Sequence, residues 1–423
     1  MAGDVITSEL PADMSAAIRD ARARLRDQAG DVAAAFARAR AAITAEVAAV
    51  RAEREAAGTA WPVVAFADIA GGSVPEPARA AIRRRGCAVI TGTFPRDRAE
   101  AWDAELARYA EENHFFETYQ AIDDGVFGGL AAGRPSIYPV YWSRPQVQAR
   151  QDEAMMTVRR FLNGFWQHES QGRTWFDPAR DTAYPDRVRR RAPGANSAGL
   201  SPHTDSGSVE RWLLPAYQRV FRHVFSGEWD RYDPWDGAYR TQVHEFPSTV
   251  MCSAFRSFQG WTALSDMRPD AGVLHTVPVP AAMGYLLLRA LQDDVADDDL
   301  CGARNGEAIP VTGRYPADLL DALSPIPAVQ PGDTVWWHAD LIHSVGPVTG
   351  QQGWGNVMYI PAAPYCEKNA AYAAACGQAF LAGASPADFA AEDYETTWTG
   401  RATLADLSAT GRDQLGLPPG PGL

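Results

Sequence analysis

The sequence predicts an α+β protein in which a double-stranded β-helix, or jelly roll, forms the core and helices flank it. Three observations predict this fold. Short β-rich segments follow one another between residues 187 and 364, a Pro-Gly-Asp turn at 331–333 precedes two of them, and Ala-rich helical sequence occupies both ends. Short strands separated by Gly, Pro and Asp turns are typical of a sandwich or barrel. The core is therefore expected to be cupin-like and to lie in the second half of the chain.

The chain is expected to form one structural unit built from four segments. They are an N-terminal helical arm at 1–58, an α/β support region packed on the core at 59–186, the jelly-roll core at 187–364 with insertions at 213–247 and 280–327, and a C-terminal helical tail at 365–423.

The arm shows apolar residues at helical spacing, and Gly30-Asp31 is expected to divide it into two helices. Asp31 would cap the second helix, since Asp is a preferred N-cap residue. One interpretation makes the arm a dimerising coiled coil. The other packs it on the main domain, which is favoured because the apolar stripe is short and not strictly heptad.

Alternating helical and strand periodicity predicts the remaining elements. In the support region we expect strands at 61–66, 86–91 and 138–142 and helices at 75–85, 96–113 and 153–168. In the core we expect strands at 187–192, 199–209, 251–264, 272–279, 333–338, 342–348 and 355–361.

The overall composition limits the partners and the compartment. A net charge of −13 argues against a protein that binds a nucleic-acid backbone, because such proteins usually carry a basic stripe. Five dispersed cysteines without CxxC spacing indicate a reducing compartment. The sequence shows no leader-like or membrane-spanning apolar run. We therefore expect a cytoplasmic protein that acts on a small molecule, without nucleic-acid or membrane partners, and a homo-oligomer remains open.

The strongest chemical signal is His203-Thr-Asp205 at the end of a predicted strand. A histidine and an aspartate two residues apart can direct an imidazole and a carboxylate at one point. His343, about 140 residues later on a distant strand, would complete a two-His, one-carboxylate triad. This triad suits non-haem Fe(II), since it leaves positions open for 2-oxoglutarate and O₂.

A second HxD sequence, His338-Ala-Asp340, competes for the same role. His343 lies ten residues after Asp333 of the Pro-Gly-Asp turn, at the spacing by which jelly-roll oxygenases supply their distal ligand. If His338 and Asp340 were the near pair, no third ligand would follow at that distance. His338 is therefore interpreted as a structural histidine.

The chain resembles the bacterial YbiU family and, more broadly, the phytanoyl-CoA-dioxygenase-like branch of the Fe(II)/2-oxoglutarate-dependent oxygenases. The resemblance covers nearly the whole chain and rests on motifs at 82–90, 137–142, 203–207, 210–215, 258–264, 356–361 and 392–395. It implies that Trp261 lies beside 2-oxoglutarate, where the alternative is a plain core tryptophan.

One departure from that pattern concerns the arginine that usually clamps the far carboxylate of 2-oxoglutarate. Its position is occupied by Trp354, and Asn356 follows where a serine is common. A buried carboxylate needs a cation, preferably a bidentate guanidinium. Neighbouring strands offer Arg189, Arg191 and Arg256, with Trp261 and Asn356 shaping the slot. The alternative is that the arginine run is a solvated edge strand.

These residues lead us to expect an Fe(II), 2-oxoglutarate-dependent dioxygenase that hydroxylates or desaturates an unidentified small molecule. Tyr138, Tyr141, Trp142 and Trp212, with the 213–247 insertion, would form its substrate mouth and lid. Two alternatives remain: a non-catalytic metal-binding jelly roll, and a cupin-like isomerase or lyase that does not use 2-oxoglutarate.

Overall fold

The computed structural model describes residues 8–120, 136–248, 252–315 and 317–420. Residues 1–7 of the predicted arm, residue 251 of a predicted core strand and residues 421–423 of the tail lie outside the described residues.

Helices occupy both ends of the chain and both predicted insertions. They are α1 Met14–Ala29, α2 Val32–Ala57, α3 Phe66–Ala70, α4 Glu76–Arg85, α5 Arg96–Glu112, α6 Phe115–Thr118, α7 Arg144–Gln151, α8 Glu153–Asn163, α9 Glu210–Leu213, α10 Pro215–Val220, α11 Arg222–Phe225, α12 Ala282–Arg289, α13 Ala317–Asp321, α14 Glu367–Ala382 and α15 Ala409–Gln414.

The strands are spread along the chain from residue 63 to residue 365. They are β1 Val63–Ala65, β2 Cys87–Thr91, β3 Ile137–Tyr138, β4 Glu169–Ser170, β5 Arg173–Thr174, β6 Asp177–Asp181, β7 Val188–Arg191, β8 Leu200–Thr204, β9 Phe258–Ala263, β10 Leu274–Val277, β11 Ile309–Pro310, β12 Ser324–Pro325, β13 Thr334–His338, β14 Ile342–Val345, β15 Gly355–Tyr359 and β16 Pro364–Tyr365.

Two sheets form the centre of this mixed α+β fold. The larger has the strand order β1-β2-β13-β9-β15-β7-β3, and the smaller has the order β11-β8-β14-β10-β12. Each predicted core strand is present, shortened at one or both ends. Strands β7 to β10 and β13 to β15 alternate between the two sheets along the chain. Trp261 and Val335 of the larger sheet share one apolar cluster with Leu274 of the smaller.

The predicted support region contributes directly to the larger sheet. Strand β2 pairs antiparallel with β13, with Ile90 opposite Thr334, and β1 adds to it in parallel. Strand β3 pairs with β7 at the opposite edge. The region therefore extends the core by backbone hydrogen bonds as well as packing on it.

The arm divides at the predicted residues and covers the body of the protein. The Asp31 side chain accepts a hydrogen bond from the Ala34 N–H at 2.9 Å and caps α2. Ile43 and Val47 of α2 lie in one buried cluster with Leu286 and Leu287 of α12. The apolar stripe is thus buried within the chain, as the packed-arm interpretation predicts.

The predicted strand at 138–142 is shorter than expected because the tail takes its hydrogen bonds. Glu395 accepts hydrogen bonds from the backbone N–H groups of Tyr141 at 2.6 Å and Trp142 at 3.0 Å. The backbone N–H groups of Tyr141 and Trp142 therefore do not pair with any neighbouring strand that the structure describes. None of the described helices is both long and apolar enough to cross a bilayer.

Candidate metal centre

The register of the smaller sheet places two histidines side by side. Strands β8 and β14 pair antiparallel with His203 directly opposite His343, and the two ring centroids are 4.3 Å apart. Asp205 follows β8, and its two carboxylate oxygens lie 3.6 Å from His203 Nε2 and 3.4 Å from His343 Nε2. One ligand atom from each residue lies within 4.8 Å of the others. The structure therefore brings the three predicted ligands together.

Each imidazole is oriented by the backbone carbonyl of the residue two positions before it. His203 Nδ1 lies 2.7 Å from the Ser201 carbonyl, and His343 Nδ1 lies 3.1 Å from the Leu341 carbonyl. A carbonyl accepts hydrogen bonds only, so Nδ1 carries the proton and Nε2 keeps its lone pair. Burial, aided by His343, lowers the pKa of His203 to about 4. The Nε2 of His203 is therefore available to a cation at neutral pH.

The turn after Asp205 is held by one buried arginine. Arg211 Nη2 donates to the carbonyls of Asp205 at 2.9 Å and Ser206 at 2.8 Å, and its Nε donates to the carbonyl of Gly207 at 3.2 Å. Its Nη1 donates to Asp340 at 3.1 Å. This guanidinium links the turn that carries Asp205 to the loop that precedes His343.

The turn also requires unusual backbone conformations. Ser206 has φ 65° and Gly207 has φ 97°, both in the left-handed region. A Cβ on Gly207 would lie 2.5 Å from the Tyr217 hydroxyl, so only glycine fits. These conformations end β8 after Thr204 and turn the Asp205 carboxylate back toward the histidines.

His338 and Asp340 do not join the cluster. His338 Nε2 lies 3.1 Å from the Pro234 carbonyl, and its Nδ1 accepts the Asp340 N–H at 3.0 Å. Asp340 forms ion pairs with Arg211 at 3.1 Å and Arg240 at 2.7 Å. His338 and Asp340 therefore have a structural role, as was predicted for His338 from the sequence.

A cavity of about 150 Å³ opens between the two sheets and contains the triad. Leu200, Leu274 and Val345 line it from the smaller sheet, and Trp261 lines it from the larger. Trp261 is also part of the apolar cluster between the sheets. Trp261 therefore lines the cavity and also belongs to the apolar core, so the two interpretations of this residue do not exclude each other.

Arg189 and Arg256 both line the cavity. Arg189 donates from Nε to the Gly355 carbonyl at 3.1 Å, on the strand where the clamping arginine was expected. Arg256 is buried, and among the described residues its Nε has no hydrogen-bond partner. Neither side chain is a solvated edge residue.

Arg191 and Asn356 were expected beside the co-substrate, and the structure places them elsewhere. Arg191 lies past the end of the cavity, where its Nη2 donates to the carbonyls of Ala271 at 2.6 Å and Gly272 at 2.8 Å. Asn356 points to the opposite face of β15, and its Nδ2 donates to Asp103 at 3.0 Å. Side chains alternate along a strand, so Asn356 cannot share a face of β15 with the lining residue Tyr359, three positions later.

The structure places the predicted mouth and lid residues outside the described cavity lining. Tyr138, Tyr141, Trp142 and Trp212 are buried in the apolar core, and the lining includes no described residue of the 213–247 insertion. Part of the described lining comes instead from the tail and from the segment before β7. Those residues are Tyr184, Asp186, Arg187, Asp388 and Phe389.

Sequence reasoning missed two other groups of lining residues. Gln259 lies two positions before Trp261 on the same face of β9, so alternation could have identified it. Tyr359 lies on the face of β15 opposite to the predicted Asn356, so the prediction of Asn356 pointed away from it. Tyr184 and Asp388 carry no such signal. Their hydroxyl and carboxylate meet at 3.0 Å across segments about 200 residues apart.

The Gig2-like family matches residues 12–417 of the chain. The protein YbiU of Escherichia coli K12 is 53% identical over 419 residues, which is 99% of this chain and 100% of that protein. A Salmonella typhimurium LT2 crystal structure called "Putative Oxidoreductase" is 54% identical and covers 97% of this chain and 99% of its own, with a TM-score of 0.93. The structure of GlcNAc Inducible Gene 2 from Candida albicans is 26% identical, covers 97% of this chain and 91% of its own, and has a TM-score of 0.78. A match over this much of the sequence shows that the chain belongs to the Gig2-like family.

Proposed function

We propose that the protein is a non-haem Fe(II), 2-oxoglutarate-dependent oxygenase that hydroxylates or desaturates a small molecule, with release of succinate and CO₂. One observation carries the proposal: two imidazole Nε2 atoms and one carboxylate converge in a cavity between two sheets. In keeping with a jelly roll, the core strands alternate between those sheets and supply the ligands from adjacent strands.

The donor set fits Fe(II). Two neutral imidazoles and one carboxylate occupy one face of an octahedron and leave the other face open. A divalent ion with one carboxylate leaves a net charge near +1, which favours an anionic oxoacid. His203, Asp205 and His343 would hold the ion. Since Asp205 is a carboxylate and not a small residue that opens a halide position, hydroxylation or desaturation is favoured over halogenation.

The cavity also offers groups that suit 2-oxoglutarate. We assign its far carboxylate to Arg189, because β7 lies beside β15 and the Arg189 side chain already reaches the backbone of that strand. Among the described residues the Gln259 amide nitrogen has no hydrogen-bond partner, so it can donate to a bound oxygen. Trp261 would form one wall of the slot.

The residues of the chain position the reactants and exclude water. Bound Fe(II) and 2-oxoglutarate would supply the activation of O₂, coupled to oxidative decarboxylation. Arg211 fixes the turn of Asp205, and the carbonyls of Ser201 and Leu341 fix the two imidazoles. The apolar side chains of Leu200, Leu274 and Val345 keep the cavity dry, which strengthens each charged contact inside it.

An anaerobic titration with Fe(II) and 2-oxoglutarate tests the assignment. We expect the weak visible charge-transfer band of the chelate to appear with one equivalent of each. The variant Arg189→Gln should raise the Kd for 2-oxoglutarate at least about tenfold, the loss of roughly 1.4 kcal/mol or more. The variant Arg191→Gln is the matched control and should leave the Kd within about twofold.

A metal-binding jelly roll without 2-oxoglutarate chemistry is the second candidate. It is favoured by the absence of any cation on β15, whose residues are Gly-Asn-Val-Met-Tyr. Tight Zn(II) or Ni(II) binding with no affinity for 2-oxoglutarate would support a binding module. Turnover independent of O₂ would support an isomerase or a lyase. Either result would contradict the oxygenase.

A further inference from the structure

The cavity lining combines three arginines with three aspartates, and the arginines differ in how they are paired. Arg187, Arg189 and Arg256 all line it. Arg187 is paired with Asp186 at 3.4 Å and lies over the Phe389 ring at 5.0 Å. Arg189 and Arg256, in contrast, form no ion pair with any described carboxylate. 2-Oxoglutarate has one carboxylate at the metal and one to be clamped, so one arginine is left over.

Arg256 is the better candidate for the remaining cation. Its side chain is buried, and its Nε has no hydrogen-bond partner among the described residues. Its Nη2 makes only a long contact, 3.4 Å from the Ser206 hydroxyl. The guanidinium also lies over the Tyr184 ring at 5.3 Å. A buried guanidinium without a paired carboxylate is costly unless a ligand supplies the anion.

The position of Arg256 indicates that such an anion would lie close to the candidate metal site. Ser206 is the residue next to the candidate ligand Asp205, so the guanidinium faces the metal side of the cavity. Burial lowers the pKa of Arg256, whereas Cys252, Tyr184 and Asp205 raise it, and the net shift is upward. Asp205 is the carboxylate among these three groups. A metal ion bound to Asp205 would neutralise part of the charge of that carboxylate. Arg256 would then lack a nearby compensating anion.

We propose that Arg256 receives an oxyanion of the primary substrate, a carboxylate or a phosphate, next to the carbon that is presented to the metal. The inference rests on the proposed function, in which Arg189 takes the far carboxylate of 2-oxoglutarate. It makes Arg256 a specificity-determining residue and restricts the substrates to small anionic molecules that fit beside the chelate.

Calorimetric titration of the anaerobic Fe(II) and 2-oxoglutarate complex tests the proposal. The probes are propanoate, inorganic phosphate and the neutral isostere propanamide. We expect an oxyanion to bind at least about tenfold more tightly than propanamide, because a charge-assisted bidentate contact is lost in the amide. Tighter binding of propanoate than phosphate would identify a carboxylate substrate, and the reverse order a phosphate.

Substitutions of Arg256 and Arg189 distinguish the roles of the two arginines. Arg256→Gln should weaken the oxyanion probe about tenfold and keep the affinity for 2-oxoglutarate, while Arg189→Gln should show the opposite pattern. Arg256→Lys keeps the buried charge and therefore the fold. It should bind the probe more weakly than wild type, because an ammonium cannot make the bidentate contact.

Each contrary result has one meaning. Equal affinity for propanoate and propanamide, or an unchanged probe affinity in Arg256→Gln and Arg256→Lys, would overturn the inference. Loss of 2-oxoglutarate binding in Arg256→Gln would overturn it too, because Arg256 would then be the clamp while the oxygenase proposal stands. Absence of 2-oxoglutarate binding in wild type would overturn the proposed function, whereas propanoate binding that depends on Arg256 would still support the anion site.

Discussion

Two histidines in HxD sequences have opposite environments in this protein. The Nε2 of His203 faces a cavity, while His338 stacks on Trp166 with the ring centroids 4.5 Å apart and uses both nitrogens for protein contacts. Burial lowers the pKa of His338 to about 3, so this imidazole is neutral and enclosed. A pattern of two residues cannot distinguish these roles, because the neighbours that decide them are distant in sequence.

Paired alanine variants of His343 and His338 test the difference. His343→Ala should abolish Fe(II) binding and change the free energy of unfolding little, since its Nε2 faces the cavity. His338→Ala should keep metal affinity and lose about 1–3 kcal/mol of stability, because a buried, hydrogen-bonded ring is removed. Metal titration and urea denaturation measure the two quantities. Metal loss in His338→Ala with retention in His343→Ala would reverse the assignment.

Asp340 is expected to support the metal centre without touching the metal. Asp340→Asn leaves Arg211 and Arg240 without their buried counterion, which should cost about 3–5 kcal/mol in the free energy of unfolding. Because Arg211 holds the turn of Asp205, metal affinity should also fall by about 10–100-fold. Calorimetric Co(II) titration of the folded variant measures this affinity.

Asp103→Asn is the control for that experiment. Asp103 pairs with Arg190 at 3.1 Å, away from the turn that carries Asp205. It should lower stability and leave metal affinity unchanged. An equal loss of metal affinity in both variants would mean that Arg211 does not position the ligands.

At the scale of elements, the centre of the larger sheet depends on one glycine. Gly260 lies in β9 opposite Trp336 of β13, and a Cβ there would approach the Trp336 ring to 2.4 Å. This close approach lets a fully buried tryptophan lie flat on the neighbouring strand. Trp261, on the opposite face of the same strand, takes its position in the cavity from that packing.

Gly260→Ala should therefore destabilise the fold by about 1–3 kcal/mol, the usual effect of overpacking a core. Gly353→Ala is the matched control, since a Cβ at Gly353 would meet no atom within 4 Å and its φ is not in the left-handed region. Urea denaturation of both variants gives the comparison. An equal and small effect at the two positions would show that the sheet relaxes around Trp336.

At the scale of the whole molecule, buried carboxyl groups make stability depend on pH. Burial raises the pKa values of Asp181 and Asp388 to about 6. For Asp181 the cause is clear, because one of its oxygens has no hydrogen-bond partner among the described residues. Such a carboxyl binds its proton more tightly in the folded protein than in the unfolded chain.

The sign of the dependence follows from proton binding. Between about pH 4 and pH 6 the folded protein holds more protons than the unfolded chain, so stability falls as pH rises through this range. Asp181 should contribute at most about 3 kcal/mol to the fall. Asp181→Asn should flatten the profile of unfolding free energy measured by urea denaturation from pH 4 to pH 7. A profile as steep as that of wild type would exclude Asp181 as a source.

The sequence by itself determined seven core strands and the three residues of the candidate metal centre. Short apolar runs bounded by Gly, Pro and Asp predicted seven strands, because periodicity and turn chemistry are local properties. The short strands β11 and β12, in the 280–327 insertion, were not predicted. The spacing of His203, Asp205 and His343 was sufficient because the first two lie at one strand end and the third follows a recognisable turn. Asp31 was identified as a cap for the same local reason.

Only the tertiary structure decided which side chains share the cavity. Arg189 and Arg191 lie on the same face of β7, but only Arg189 reaches the cavity, because Arg191 extends past its end to the loop at 271–272. The lining by Tyr184 and Asp388 could not be inferred either, since these residues meet from segments that are far apart in the chain. Local patterns determine where strands and turns occur, whereas the lining of a cavity depends on contacts between distant segments.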